Sequence, residues 1–116
     1  MKIAVLSKND AVLIEKVELA VRPGQRIRGL LGRSSLRHGR ALYLSPCSSI
    51  HTFFMKFDLD LVFLNHAAQV EKIVIKVPPG RIVMGGMRSC SVLEMESGWF
   101  PRDALSVGDK VSLTAR

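Results

Sequence analysis

Residues 46–65 read PCSSIHTFFMKFDLDLVFLN and bring Cys47, His51, Met55, Asp58 and Asp60 into one short stretch. Cys47 and His51 are four apart, a spacing that shares one face in a strand and in a helix alike. Three chemistries compete for the pair. Zinc would need further ligands from Asp58, Asp60, His66 or Cys90, because its structural sites take four tetrahedral ligands. The chain has no paired CxxC or HxxxH to support that reading. A cysteine nucleophile would use His51 as its base. The plainest alternative is structural and is favoured: Cys47 as a small buried apolar residue and His51 hydrogen-bonded to a loop carbonyl. In an extended segment Phe53 and Met55 would share the His51 face, and Phe54 and Lys56 would take the other. Such a cluster reads as core first and as pocket lining second.

Asp60 interrupts the apolar run LDLVFL. A carboxylate inside such a strand must find a partner or carry a large desolvation penalty. A guanidinium suits it through a forked contact, and Arg28 or Arg33 is the expected source. The alternative places Asp60 on the wet face of a one-sided sheet. Glu94, in SVLEME, raises the same question.

The formal net charge of +7 is concentrated. No acidic residue lies between Glu18 and Asp58, while Arg22, Arg26, Arg28, Arg33, Arg37, Arg40 and Lys56 do. A solvated basic face is the simplest account. Arginine also suits carboxylate or phosphate partners.

Around these residues the chain reads as short strands. They are expected over 1–6, 11–21, 40–45, 58–64, 69–77, 81–84, 91–96 and 110–114, from alternation and β-branched content between turn residues. Ile27, Leu30 and Leu31 have helical spacing, so one short helix is expected near 25–33, weakened by Gly29 and Gly32. The chain lacks the long helices of an α/β sheet. A mainly β single domain over 1–116 follows, a β-sandwich or a partly open barrel. No apolar run approaches the length of a membrane span, and no membrane partner is expected. MKIAVLSKND is too short in apolar residues for a signal segment, so a cytoplasmic location is expected, with Cys47 and Cys90 as reduced thiols.

Four segments together resemble the domain of unknown function 192 family: RIRGLLGR (26–33), PCSSIHTFFMKFDLDLVFL (46–64), SVLEMESG (91–98) and VGDKV (107–111). The resemblance runs roughly from Val17 to Leu113. It implies a jelly-roll-like β-sandwich with a short helix and carries no established activity. The matching positions are Arg28, Gly29, Leu30, Arg33, His51, Met55, Asp60, Glu94, Gly98, Gly108 and Asp109. The family's hairpin often reads D-x-x-G, whereas this chain has Asn65-His66-Ala67-Ala68. Alanine at 68 argues against a positive φ there, or for a looser loop.

Three functions are weighed. First is a small ligand- or peptide-binding module for an anionic small molecule or acidic peptide, with Arg28, Arg33, His51, Met55, Asp60 and Glu94 as candidate binding residues. Second is a hydrolase-type or metal-dependent enzyme using His51 with Cys47 or Asp60, which requires those groups within about 3 Å or one water of each other. Third is nucleic-acid binding through the basic 22–40 segment. No cofactor is implied.

Overall fold

The computed structural model describes residues 2–21 and 36–116. The alternating runs within them form nine strands: β1 (Lys2–Lys8), β2 (Ala11–Ala20), β3 (Arg40–Leu44), β4 (Ser49–His51), β5 (Leu59–Leu64), β6 (Val70–Val77), β7 (Ile82–Met84), β8 (Ser91–Glu96) and β9 (Ser112–Ala115). No described residue is helical. The helix expected over 25–33, with Arg28 and Arg33, lies outside the described residues.

Seven strands make one sheet in the order β6-β5-β8-β3-β2-β1-β9, and β4 pairs with β7 as a separate ribbon. All neighbours are antiparallel except β2 and β3. A hairpin cannot link a parallel pair, and residues 21–39 give the length that a crossover needs. Between β1 and β2 the turn residues Asn9 and Asp10 take φ of 52° and 64°. Two positive φ angles match the twist of a tight hairpin, and Asn and Asp accept them at low cost.

The two edge strands of the large sheet touch near their starts. Gln69 bridges Lys110. Val70 N–H donates to Asp109 O at 2.8 Å, Gly108 N–H to Val70 O at 2.7 Å, and Val111 N–H to Ala68 O at 2.9 Å. Lys8 Nζ reaches Asp109 Oδ2 at 2.7 Å and ties the end of β1 to the same place.

Apolar residues cover both faces of the sheet. Leu59, Leu61 and Phe63 of β5 join Leu42, Leu44, Val92, Ile50 and Met55 in one core layer. Val62 and Leu64 join Leu6, Val17, Leu93, Met95 and Leu105 in the other. All six residues of β5 are therefore buried. The β4–β7 ribbon covers the first layer through Ile50 and Val83. The 97–111 connection covers the second through Trp99, Phe100 and Leu105.

Two local expectations are corrected. Residues 52–57 are not extended: Met55 N–H donates to Thr52 O at 3.2 Å, closing a turn over Phe53 and Phe54. Met55 goes into the core, whereas Phe53 and Phe54 go out. Ala68 does take a positive φ, 59°. Its conformation is held on all sides, because Asn65 Oδ1 accepts from Ala67 N–H and Gln69 N–H at 2.9 and 3.0 Å. The Ala68 amide in turn donates to Asn65 O at 3.0 Å.

Candidate functional site

Asp60 is placed by a flaw in a strand pair. Leu59 faces Val77, but Leu61 faces Val74, so β6 carries an extra residue opposite Asp60. At this bulge Lys76 has φ 53°, and its N–H leaves the ladder. Asp60 Oδ1 accepts that N–H at 3.0 Å. A backbone amide is thus the described partner of this buried carboxylate, and the expected partners Arg28 and Arg33 lie outside the described residues.

Asp60 lies on the second-layer face of β5, beside Met95 of β8. There it lines a cavity of about 250 Å³ with Val62, Ile73, Ile75, Met95, Phe100, Pro101, Arg102 and Leu105. The hollow continues into a space of about 420 Å³ reached by Lys76, Ser97, Gly98 and Trp99. Strands β5, β6 and β8 form the floor, and the 97–105 connection forms the wall. Ser97 N–H fixes the start of that wall on Asp58 O at 2.9 Å. Gly98, at φ 109°, makes a bend that an L side chain rarely adopts. Trp99 then meets Phe100 edge-on, with ring centroids 5.7 Å apart. The Trp99 indole N–H is buried and has no hydrogen-bond acceptor among the described residues.

The remaining candidates are dispersed. Residue 94 alternates with residue 95, so Glu94 faces the opposite layer, between its register partners Leu42 and Leu61. Burial raises its carboxyl pKa to about 7. Among the described residues no donor or cation meets it. His51 is exposed on β4, on the far side of the sheet from Asp60, with its ring stacked on Phe53 at 5.6 Å. The Cys47 thiol donates to Ser49 O at 3.1 Å. Cys47 N–H donates to Cys90 O at 2.8 Å, yet no disulfide joins the two cysteines. Cys90 and His66 line a separate cavity of about 320 Å³ with Tyr43 and Asn65. Among the described residues no group of three His, Cys, Asp or Glu side chains forms that could hold a metal ion. A His51–Asp60 catalytic pair, one form of the enzyme reading, is separated by the sheet itself.

Sequence reasoning missed Trp99, Phe100 and Arg102. Their signal was the composition of the connection, WFPRD, in which two aromatics and an arginine follow a glycine. Loops held by a rigid sheet often carry function, and this one closes over the only carboxylate of β5.

A family model, domain of unknown function 192 (Uncharacterized ACR), matches residues 4–113. No curated protein matches the chain. Among solved structures, a protein of unknown function from Novosphingobium aromaticivorans is similar at TM-score 0.79 and 20% identity, covering 95% of this chain and 83% of that one. A protein from Sinorhizobium meliloti, described as a "putative transcription regulator", is similar at TM-score 0.77 and 22% identity, covering 97% of this chain and 92% of that one. At these identities the likeness shows the fold.

Proposed function

The chain belongs to that family, and we propose that it is a small binding module whose site is the groove over Asp60. The observation that carries this reading is the mixture in one hollow: an apolar floor, the Asp60 carboxylate and the Arg102 side chain. Ligand sites combine apolar walls with a few polar groups in this way. Arg102 suits an acceptor or anion, while the Asp60 oxygen not engaged by Lys76 suits a donor. The ligand class is a small molecule with an apolar body and a carboxylate, or the acidic end of a peptide. Arg102 is the described arginine at this site, and Arg28 and Arg33 lie outside the described residues. The fold we infer for the module is a partly open barrel, supported by the contact of β6 and β9 at their starts.

The test is an amide-resolved NMR titration with amino acids, short acidic peptides and aliphatic carboxylic acids. Shifts confined to residues 73–76 and 98–105, and lost in Arg102→Glu, support the groove. Shifts that persist in Arg102→Glu, or no response to any of these compounds, reject it.

A further inference from the structure

Segments 48–57 and 79–88 build the β4–β7 ribbon and its turns. Ile50 and Val83 point into the core, so by alternation Ser49, His51, Ile82 and Met84 face outward. Ile82 and Met84 are 67% and 60% exposed, and the turns add Phe54 at 88% and Met87 at 105%. Phe54 holds φ 66°, a conformation that is a true outlier for a bulky residue. Packing does not explain it, since the side chain stands in solvent. The two segments also contain His51, Lys56, Arg81 and Arg88, and no Asp or Glu. The neighbouring acids are Asp58 and Glu71, and Glu71 Oε1 accepts from Asn65 Nδ2 at 2.9 Å. Lys72 adds a further cation, with Nζ 2.8 Å from Met84 O.

We propose that this ribbon docks on the surface of an anionic lipid bilayer. A patch of large apolar side chains rimmed by cations marks an interaction surface. Phe54 and Met87 project from turns, and Ile82 and Met84 from the outer side of β7, rather than enclosing a hollow. A protein partner would have to supply a matched hollow for each, whereas the interfacial region of a bilayer accepts projecting apolar groups at any spacing. Lysine and arginine beside them meet anionic headgroups. The expectation of no membrane partner rested on the lack of a spanning run, and surface docking requires no span.

The test is co-sedimentation of the full chain with vesicles of phosphatidylcholine alone and of phosphatidylcholine mixed with phosphatidylserine. The expected result is binding to the mixed vesicles that weakens as salt rises. Arg81→Glu and Arg88→Glu each weaken it at least about fivefold, the worth of one basic residue at such a surface. The double variant Phe54→Asn and Met87→Ser weakens it by about tenfold or more, through lost apolar burial. Asparagine tolerates the φ at position 54, and both side chains are exposed, so circular dichroism should show an unchanged fold. Failure to bind mixed vesicles overturns the proposal. So does binding that ignores the double variant, because charge elsewhere in the chain then suffices. A concentration-dependent dimer that the double variant dissociates also overturns it, making the ribbon a contact between two copies.

Discussion

Glu94 and Asp60 show how differently one sheet treats two carboxylates. Glu94 lies between Leu42 and Leu61, and burial raises its pKa to about 7 from an ordinary 4.5. The folded chain therefore holds this proton more tightly than the unfolded chain. Stability from this group is fully present below about pH 4.5, declines as pH rises, and is lost above about 7. The full difference is on the order of 3 kcal/mol. Glu94→Gln should stabilise the protein at pH 8 by a large part of that amount and flatten the decline between pH 5 and 7, as read by urea denaturation across that range. A loss of stability in Glu94→Gln at pH 8 would instead mean that a cation compensates the carboxylate. Asp60 is tied to one amide, Lys76 N–H. Asp60→Ala strands that part-buried donor and should cost about 1 kcal/mol, whereas Asp60→Asn keeps an acceptor and should recover most of it. Equal losses in the two variants would show that the charge of Asp60, and not its acceptor, matters to the fold.

At the level of elements, strands were readable because alternation is a local property. The runs 58–64 and 69–77 carry enough β-branched and apolar residues to announce a hairpin, and the structure has β5 and β6 within them. The bulge at Lys76 was not readable, since it depends on a carboxylate of the facing strand. The bend at Phe53 and Phe54 was hidden for a related reason. It is fixed by buried Thr52, whose Oγ1 donates to Pro78 O at 2.7 Å and accepts from Arg81 N–H at 2.9 Å, residues far along the chain. Ala68 illustrates a local rule that tertiary contacts override. Three hydrogen bonds accepted by Asn65 and one donated by Val111 N–H to Ala68 O hold it left-handed. An L residue there is strained by about 1–2 kcal/mol, and glycine in the unfolded chain gains back part of that difference. Ala68→Gly should therefore raise stability by up to about 1 kcal/mol, with no change in the amide shifts of 69–71. Destabilisation by that substitution would show that the Ala68 methyl, packed against the second core layer, matters more than its φ.

For the whole molecule, the meeting of Asp60 with Phe100 and Arg102 could not be read from sequence. It requires knowing that the even residues of β5 face the second layer and that the 97–111 connection returns over them. That return also sets how the sheet ends. The connection delivers Gly108, Asp109 and Val111 to Ala68 and Val70, so the start of β6 is bound to the approach to β9. Asp109 fastens the junction: hydrogen bonds from Lys8 and from the Ser106 amide hold its carboxyl below the ordinary carboxylate range. An open sheet leaves its edge amides to water, whereas a closed one shelters them. Native-state hydrogen exchange separates the two cases. If the edges are held together, the amides of Val70, Gly108 and Val111 exchange through global unfolding, with protection near that of Leu61 and Leu93 in the central strands. Asp109→Ala should then drop protection at those three amides while leaving β5 and β8 protected. Rapid exchange at all three in the unmodified protein would mean that the edges part freely, and the partly open barrel would give way to an open curved sheet.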